Sequence, residues 1–342
     1  MRNKFFDWGF LPTEEYPIPV VCVGNLAMGG TGKTPHIEYL IRLLQPKFRV
    51  AVLSRGYKRS SKGYLLATPE TKMSEIGDEA YQIKQKFPQV TVAVDVNRRH
   101  GIRTMMNMAP GERPEVILLD DAFQHRYVTP SLAIVLTDYN RLYYHDKMFP
   151  VGRLREQQSG IVRAQAVIVT NCDPDLKPID FRIIEDDMKL AAYQHIFFSR
   201  PNYLAVKSVW PELAGTPFYE ISKSDRVVLV TGIANPQPLI DEIQSRSDNV
   251  SPLVFPDHHN FTKNDVLRIT SLFDKQEGDK KIILVTEKDE ARLRQNPYLK
   301  DEYKQFLFSI PIAIRFCNDH EKNFNELVMK EIDNVNNNII AR

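Results

Sequence analysis

The 342-residue sequence has few cysteines, no long apolar run and almost no net charge. Its three cysteines, Cys22, Cys172 and Cys317, lie far apart and form no CxxC pair. This spacing argues against a disulfide framework or a zinc cluster and fits a reducing cytosol. No apolar run approaches the roughly 18–20 residues that span a bilayer, so we expect no transmembrane segment. The net charge of +2 provides no global field for nucleic acid, and we expect no nucleic-acid partner.

The composition is that of a folded globular protein, and the chain is long enough for two domains. Residues 1–17 are expected to form an N-terminal arm that mixes Arg2 and Lys4 with aromatic side chains such as Trp8 and Phe10. The arm is too short for a signal peptide and has no cleavage site. Such a mixture can rest on a membrane surface. Packing of the arm on the protein core explains it equally well.

Residues 18–194 alternate buried-strand runs with helical patterns, as parallel βαβ units do. The runs are rich in β-branched residues and apolar on both faces, which is typical of a sheet covered on both sides. We predict strands at 18–23, 49–54, 90–94, 115–121, 131–138 and 165–170, and helices at 33–44, at 77–87 and after Arg98. The fold class is therefore α/β with a parallel sheet.

The rhythm changes at residues 195–210, where two extended segments flank a Pro-Asn turn. We expect this stretch to be a linker between domains. Residues 211–342 resume the α/β pattern and are expected to form a second, smaller α/β domain. The Asn-rich tail "DNVNNNIIAR" is expected to fray at its end.

The stretch "AMGGTGKTPH" (27–36) follows the first predicted strand and opens the first predicted helix. It fits the phosphate-loop pattern G-x-x-x-x-G-K-[ST] except that Ala27 replaces the first glycine. Lys33 would lie on the β- and γ-phosphates, and the Thr34 hydroxyl would bind Mg²⁺. The alternative is a glycine-rich turn with a chance Lys-Thr pair. The predicted nucleotide-binding residues, whose amides would hold the phosphates, are Ala27, Met28, Gly29, Gly30, Thr31, Gly32, Lys33 and Thr34.

A second candidate site follows the apolar run "VILLDDAFQH" (116–125). Asp120 and Asp121 come at the carboxyl end of this predicted strand, where a phosphate-loop enzyme needs a carboxylate for its metal. A solvated turn would have a similar sequence. Gln124 and His125 lie just beyond, within expected reach of a substrate or nucleotide; local hydrogen bonding to the turn is the alternative.

With these motifs the sequence resembles the tetraacyldisaccharide 4′-kinases of lipid A biosynthesis. The blocks that carry the resemblance are "VGNLAMGGTGKTPH" (23–36), "SRGY" (54–57), "GDEA" (77–80), "LDDAFQHR" (119–126), "FPVGRLRE" (149–156), "TGIANP" (231–236), "FPDHH" (255–259) and "VTEKD" (285–289). In that family the first loop glycine is commonly a small residue, which accommodates Ala27.

The resemblance implies transfer of the ATP γ-phosphate to the 4′-hydroxyl of a tetraacylated glucosamine disaccharide 1-phosphate, with Mg²⁺. It implies a phosphate-loop NTPase-like domain and a smaller domain joined by a two-stranded linker. It also implies a peripheral enzyme on the cytoplasmic side of the inner membrane, docked by a basic, aromatic N-terminal helix. In this chain that helix would be truncated.

Other departures from the family pattern concern the motifs themselves. Ala122 and Ala80 stand where the family usually has glycine and proline. Asn97 stands where some members have an aspartate that works with a histidine on the acceptor hydroxyl. Asp95, two residues upstream, is therefore a candidate base. His258 matches the family's functional histidine, and Asp257 would fix its tautomer. With Lys33 and Asp121, Asp95 and His258 complete the expected catalytic set, and His259 is expected to be structural.

Basic residues supply candidates for substrate binding. The segment "SRGYKRSSKGY" (54–64) contains four of them, which form either a solvated face or a contact with the substrate 1-phosphate or anionic lipid. Guanidinium groups match phosphate geometry, which adds Arg98, Arg99, Arg153 and Arg155. The expected substrate-binding residues are Arg55, Tyr57, Asn97, Arg98, Gln124, His125 and Arg155.

Two alternative functions share part of this pattern. The first is a switch ATPase or a metallochaperone GTPase, since both kinds of protein also carry GK-[ST] loops. The former place a lysine where this chain has Ala27 and Met28, and the latter have clustered cysteines. A soluble small-molecule kinase without a membrane role is the second alternative.

Overall fold

The computed structural model describes residues 2–278 and 280–340, without the side chains of residues 338–340. The outer ends of the expected arm and tail, residues 1 and 341–342, lie outside the described residues. The chain divides into two compact units. One contains the chain up to Pro201 and again from Ile314, and the other contains Asn202–Ala313.

The strands and helices are numbered in chain order. The strands are β1 Val20–Asn25, β2 Val50–Ser54, β3 Leu65–Leu66, β4 Thr91–Val94, β5 Val116–Asp120, β6 Leu132–Asp138, β7 Ala166–Thr170, β8 His195–Tyr203, β9 Val206–Ser208, β10 Phe218–Tyr219, β11 Arg226–Thr231, β12 Asn249–Val254, β13 Lys281–Thr286, β14 Leu307–Ile310 and β15 Ile312–Phe316. The helices are α1 Arg2–Asp7, α2 Lys33–Leu44, α3 Met73–Ile76, α4 Asp78–Lys86, α5 Arg98–Met106, α6 Pro178–Met188, α7 Pro211–Ala214, α8 Gln237–Arg246, α9 Lys263–Asp274, α10 Glu287–Arg294, α11 Asp301–Lys304 and α12 His320–Ile340. Short 3₁₀ helices span Tyr143–His145 and Gln158–Arg163.

A nine-stranded sheet organises the first unit, in the order β15-β8-β7-β6-β1-β5-β2-β4-β3. Strands β8, β7, β6, β1, β5, β2 and β4 pair in parallel, and β3 pairs antiparallel with β4. Along β1, Cys22 faces one apolar layer while Val21 and Val23 face the other. This two-sided burial confirms the prediction of a parallel sheet covered on both faces.

The register of this sheet brings several motifs to one edge. Val23 of β1 lies beside Asp120 of β5, and Leu53 of β2 lies beside Leu119. Because parallel strands end at the same edge, the segments that follow β1, β2 and β5 leave the sheet together.

The second unit has a six-stranded sheet in the order β10-β9-β14-β13-β11-β12. Its four strands β14, β13, β11 and β12 are parallel, and β9 and β10 are antiparallel to their neighbours. Alternate residues of β11 again enter opposite apolar layers, with Val228 on one side and Val227 on the other.

The chain passes from the first unit to the second within β8 and returns within β15, and these strands are neighbours. The expected turn at Pro201–Asn202 is wrong, because β8 runs through both residues and ends at Tyr203. The C-terminus also differs from the expected division, which placed residues 211–342 together. Helix α12 buries Phe324 in the first unit, with ring centroids 4.8 Å from Phe316 and 5.2 Å from Phe197.

No helix among the described residues is long and apolar enough to cross a membrane.

Candidate active site

The phosphate loop, residues 26–32, connects β1 to α2. Gly29 and Gly32 have φ angles of 127° and 77°, a region that favours glycine because it has no Cβ. Gly32 is also the residue that precedes α2, which begins at Lys33. The first amides of a helix have no partner within it, and the helix dipole makes this end attractive to anions. The loop therefore has the backbone of an anion-binding turn.

The side chains of Asn25 and His36 stabilise this loop through hydrogen bonds. Asn25 donates from Nδ2 to Thr31 Oγ1 at 2.9 Å. The ring of His36 contacts the Gly32 carbonyl oxygen through Nδ1 at 2.7 Å and Ser199 Oγ through Nε2 at 3.1 Å. A carbonyl can only accept, so Nδ1 carries the proton and Nε2 accepts from Ser199. Burial lowers the pKa of His36 to about 4, which keeps the ring neutral.

The start of the loop is occupied by a neighbouring segment. Ala27 forms a bridge with Leu154, and the Met28 amide donates to the Arg153 carbonyl at 2.8 Å. The Thr31 amide turns inward to Gly29 at 3.0 Å. Of the eight predicted nucleotide-binding residues, Met28 and Thr31 thus have amides bound within the protein, and the amides that directly precede or begin α2, those of Gly29, Gly30 and Gly32–Thr34, are our candidates for phosphate.

Asp120 is the last residue of β5, and its side chain is buried. Oδ2 accepts from Ser54 Oγ of β2 at 3.1 Å, while the buried Oδ1 has no hydrogen-bond partner. Burial raises the pKa of Asp120 well above its ordinary range, and the negative charges of Glu79 and Asp121 add to this effect. An unpaired buried carboxylate oxygen is costly unless a cation joins it.

Asp121 follows with φ 48° and turns its carboxylate toward the phosphate loop. Arg155 donates from one guanidinium nitrogen to Oδ1 at 2.8 Å and Oδ2 at 2.9 Å, and Lys33 Nζ lies 3.8 Å from Oδ1. Burial alone would raise the pKa of Asp121, but the charges of Lys33 and Arg155 outweigh burial and lower it. The predicted phosphate-loop lysine and metal carboxylate are thus in one ion cluster.

This donor set fits a magnesium ion. Thr34, Asp120 and Asp121 offer oxygen ligands of the kind that Mg²⁺ prefers. Asp120 Oδ1 is buried without a hydrogen-bond partner, and a cation bound there would compensate it. No group of three or more His, Cys, Asp or Glu side chains suited to a metal occurs among the described residues, so any such ion would need substrate oxygens or water as further ligands.

The segment after β4 contains the other candidate base. Asp95 is buried and accepts from His100 Nδ1 at 2.6 Å and from the Asn97 amide at 2.9 Å. The Asn97 side chain caps α5 by accepting from the His100 amide. The guanidinium of Arg98 is buried against the main-chain carbonyls of Asp95 and Asp120. Asn97 and Arg98, both expected to bind substrate, therefore have positioning contacts in this structure.

Gln124 and His125 lie on the turn that follows Asp121. Gln124 Nε2 donates to the Asn25 carbonyl at 2.7 Å and to Glu156 at 3.0 Å, which ties this turn to β1. His125 Nε2 is buried without a hydrogen-bond partner. Burial, together with the charges of nearby arginines, Arg98 foremost, lowers the pKa of His125 to about 4.

The side chains of the basic segment after β2 differ in exposure. Arg59 turns inward and donates to the Gly63 carbonyl at 2.6 Å, whereas Arg55 and Tyr57 are exposed. Lys58 Nζ lies 5.6 Å from the centre of the Tyr57 ring. Arg55 and Tyr57 thus remain accessible to a ligand.

His258 belongs to the second unit, where it has φ 59°. Lys288 Nζ lies 3.3 Å from its Nε2, and an Arg292 nitrogen lies 3.5 Å from Nδ1. Asp257 Oδ2 is 3.6 Å from Nε2. Buried Asp289 accepts from the Gly232 amide at 2.8 Å and pairs with Arg292 at 2.9 Å. The three motifs "TGIANP", "FPDHH" and "VTEKD" therefore meet around this histidine.

Comparison with known proteins decides which chemistry these motifs serve. A family model described as LpxK, tetraacyldisaccharide-1-P 4′-kinase, matches residues 1–333. This chain belongs to that family. A tetraacyldisaccharide 4′-kinase of Parabacteroides distasonis is 50% identical over 97% of this chain and 90% of its own length. The protein of the same name from Bacteroides thetaiotaomicron is 48% identical over 96% and 88%.

A solved structure agrees with the fold. The crystal structure of "apo" form LpxK from Aquifex aeolicus in complex with ATP has a TM-score of 0.70 and 26% identity, over 97% of this chain and 94% of that one. The expectations of a phosphate-loop α/β fold and of an ATP-dependent lipid A 4′-kinase are thereby confirmed. Family membership also removes the switch ATPase and metallochaperone alternatives.

Three residues of the candidate site were not predicted from the sequence. His36 ends the motif "AMGGTGKTPH" and could have been found there. Ser54 is the first residue of the segment "SRGYKRSSKGY", and its hydroxyl donates to Asp120. His100 lies five residues after Asp95. This spacing does not by itself predict a contact, because the contact depends on helix α5 beginning between the two residues.

Proposed function

We propose that this kinase carries out phosphoryl transfer at the edge of the sheet where β1 and β5 end. The ion cluster of Lys33, Asp121 and Arg155 beside the phosphate loop is the observation that supports this placement most directly. The ATP phosphates would lie on the amides of Gly29, Gly30 and Gly32–Thr34. Lys33 would bind the β- and γ-phosphates and stabilise charge on the transferring group.

We propose that Mg²⁺ is held by Thr34, Asp120 and Asp121. When bound, the ion neutralises charge on the phosphate oxygens. The work of this chain's residues is then to orient the two substrates. Ser54 and Arg98 fix Asp120 through its side chain and its carbonyl, and Gln124 fixes the turn beyond it.

The acceptor is proposed to be the 4′-hydroxyl of the tetraacylated disaccharide 1-phosphate. Arg55, Tyr57, His125 and Arg155 are its proposed contacts, with Gln124 close to both substrates. Asn97 and Arg98 support them by shaping the start of α5.

Two histidines are candidates for receiving the acceptor proton. Asp95 holds Nδ1 of His100 at 2.6 Å, which leaves the Nε2 side of a largely exposed ring free to face a ligand. His258 is the second candidate, and its partners Lys288 and Arg292 are hydrogen-bond donors. A general base contributes about 10²–10⁴-fold to such a rate.

The pH dependence of kcat separates the two candidates. We expect His100→Gln and Asp95→Asn to lower kcat similarly and to remove the acidic limb of the profile, if this pair is the base. His258→Gln would do so instead if the second unit supplies the base. An acidic limb that survives all three substitutions would contradict both assignments.

We propose that the kinase acts peripherally on the cytoplasmic side of the inner membrane. Phe5, Trp8 and Phe10 are exposed and form edge-to-face contacts with one another. Arg2 donates to the Gln124 carbonyl at 3.0 Å. The aromatic arm therefore begins beside the turn that carries Gln124 and His125, where a membrane-borne acceptor would have to arrive.

The activity is tested by incubating the protein with labelled ATP, Mg²⁺ and a detergent-dispersed tetraacyl disaccharide 1-phosphate. Mass analysis should show one added phosphate at the 4′ position, and a chelator should abolish the transfer. Phosphorylation of a deacylated sugar at equal efficiency would favour the soluble small-molecule kinase. Phosphate transfer without a divalent ion would contradict the proposed metal site.

A further inference from the structure

A short loop next to the phosphate loop presents apolar side chains to solvent. Residues 148–151, here called the apolar tip, contain Met148, Phe149 and Val151. Phe149 is 64% exposed and Val151 is 80% exposed. Turn tips usually carry polar residues, and adjacent exposed apolar side chains mark interaction sites. The tip is therefore a candidate interaction surface.

The base of this loop is fixed. The buried carboxylate of Asp146 accepts from both ends of the loop, at the Lys147 amide (2.8 Å) and the Arg153 amide (3.2 Å). Arg141 donates two further bonds to it, at 2.9 and 3.0 Å. At Gly152 a Cβ would lie 2.2 Å from the Lys147 carbonyl oxygen, so the tight turn accepts only glycine. The tip is held in shape before any ligand binds.

The same segment leads straight to the phosphate site. Just after the tip, the Arg153 carbonyl accepts from the Met28 amide, and the Arg155 amide donates to the Leu26 carbonyl at 2.7 Å. The Arg155 side chain then pairs with Asp121. Arg155 is four positions after Val151 in the sequence, so their Cα atoms are at most about 14 Å apart. One segment thus presents an apolar surface and the cation that pairs with Asp121, at a short separation.

Of the two substrates of this kinase, the acceptor alone combines those two features. Its acceptor carries acyl chains and phosphate chemistry on the same small molecule, whereas ATP has no apolar tail. Lys147, Arg153 and Arg155 flank the tip with positive charge, which complements the anionic head of such a molecule. A bilayer contact would need no link to Asp121, and the aromatic arm already offers a surface for that role.

We propose that the apolar tip binds an acyl chain of the acceptor and so places the sugar hydroxyl against the phosphate site. This inference rests on the proposed function and adds a specificity element to it. Burial of Phe149 and Val151 against the chain would favour acylated over deacylated acceptors. Because the tip is rigid, the contact acts mainly on acceptor binding and positioning, while ATP binding is left as it is.

The test compares the double variant Phe149→Ser/Val151→Ser with a matched control, Ile179→Ser/Ile183→Ser, which removes two exposed apolar side chains from α6. Three quantities are measured: kcat/KM for the tetraacyl disaccharide 1-phosphate in detergent, the Kd of a non-hydrolysable ATP analogue, and sedimentation with phosphatidylglycerol vesicles. We expect kcat/KM to fall at least about tenfold in the tip variant, with the other two unchanged. The control should match the wild type, and Phe149→Leu should retain most of the activity.

Three outcomes would overturn the inference. Unchanged kcat/KM would show that the tip does not bind the acceptor. A parallel loss of vesicle binding would assign the tip to the bilayer. Weaker binding of the ATP analogue would mean that the substitutions disturb the phosphate loop itself. Failure of the proposed function is distinguishable from all three, because the wild type would then transfer no phosphate to the acylated acceptor.

Discussion

At the scale of single residues, the site is organised around one carboxylate shared by two cations. Asp121 contacts both Lys33 and Arg155, and all three side chains are less than one third exposed. An incoming phosphate would pair with the same two cations, so exchanging Asp121 for it leaves neither cation without an anion. A phosphate group can therefore compete with Asp121 for the two cations, while Asp121 becomes available to a metal. The cluster suits a site that must rearrange its charges at each turnover.

Lys33 gives the most direct test of this cluster. We expect Lys33→Ala to lower kcat by at least about 100-fold, because a preorganised charge on the transferring phosphate is lost. Lys47→Ala, at an exposed lysine just beyond α2, is the matched control and should behave like the wild type. Both are measured by labelled phosphate transfer at saturating acceptor. Normal turnover of Lys33→Ala would place the nucleotide elsewhere.

The sequence predicts which residues of the site lie close together only where they occur at the ends of predicted strands. Asp120 ends one strand of the parallel sheet, Asp121 follows it, and Lys33 comes after the loop that follows another strand, so their proximity follows from topology. The direction of a side chain has no such signature. Nothing in "VDVNRRHG" distinguishes an exposed arginine from Arg98, whose guanidinium is buried, and the Asp95–His100 pair depends on where α5 begins.

At the scale of elements, the turn after β5 unites several functions within a few residues. It provides the carboxylates that we propose as metal ligands, the Gln124 contacts to β1 and the His125 ring, whose centroid is 5.7 Å from that of Tyr127. Its stability depends on a neutral histidine. The folded pKa of His125 is about 4, whereas an ordinary histidine titrates near 6.5.

This difference predicts a loss of stability in acid. Between pH 6.5 and 4 the unfolded chain binds a proton that the folded chain does not, so the free energy of unfolding falls as pH decreases. With the full pKa shift, the free energy of unfolding would be about 2 kcal/mol lower at pH 5 than at pH 7. Since the ring is half-buried and salt screens the arginines, we expect about 1 kcal/mol.

Urea unfolding at pH 7 and pH 5 measures the effect. The drop in unfolding free energy should be smaller in His125→Gln than in the wild type. His195→Gln changes an exposed histidine of β8 and is the control. Equal pH dependence in the wild type and His125→Gln would show that the histidine does not carry the linkage.

Elements with strong local signals were predicted well, and those without such signals were missed. Strands β1, β2, β4, β5, β6 and β7 and helices α2, α4 and α5 lie within a few residues of their predicted positions. Helix α12 escaped notice because asparagine is a poor helix former. Its apolar positions Phe324, Val328 and Ile332 recur at helical spacing, and packing on β8 and β15 stabilises the helix.

At the scale of the whole molecule, the aromatic arm and the phosphate site belong to the same unit. Helix α1 buries Phe6 against Tyr127, with ring centroids 4.9 Å apart, while Trp8 and Phe10 stay exposed. Arg126 pairs with Asp7 at 2.7 Å and stacks over Phe6. The sequence left open whether the arm packs on the protein or faces a membrane, and this division of side chains is compatible with both.

We expect Trp8→Ser/Phe10→Ser to lower the affinity for phosphatidylglycerol vesicles, measured by sedimentation, by about tenfold or more. Each aromatic side chain that is buried in the membrane surface contributes about 1.5–3 kcal/mol to binding. Activity on acceptor dispersed in excess detergent should remain close to that of the wild type. Tyr193→Ser/Tyr298→Ser removes exposed aromatic side chains outside the arm and should sediment normally. Undiminished vesicle binding by the arm variant would move the docking surface away from residues 1–17.

The boundary of the second unit could not be located by composition, because β15 joins the first sheet through a pairing with β8 more than a hundred residues earlier in the sequence. That pairing has a consequence for insertions. The chain leaves the first sheet and returns to it on neighbouring strands, so the two crossings between the units belong to one edge of that sheet. A change in length between residues 202 and 313 would therefore leave the order of the other strands of the first sheet as it is.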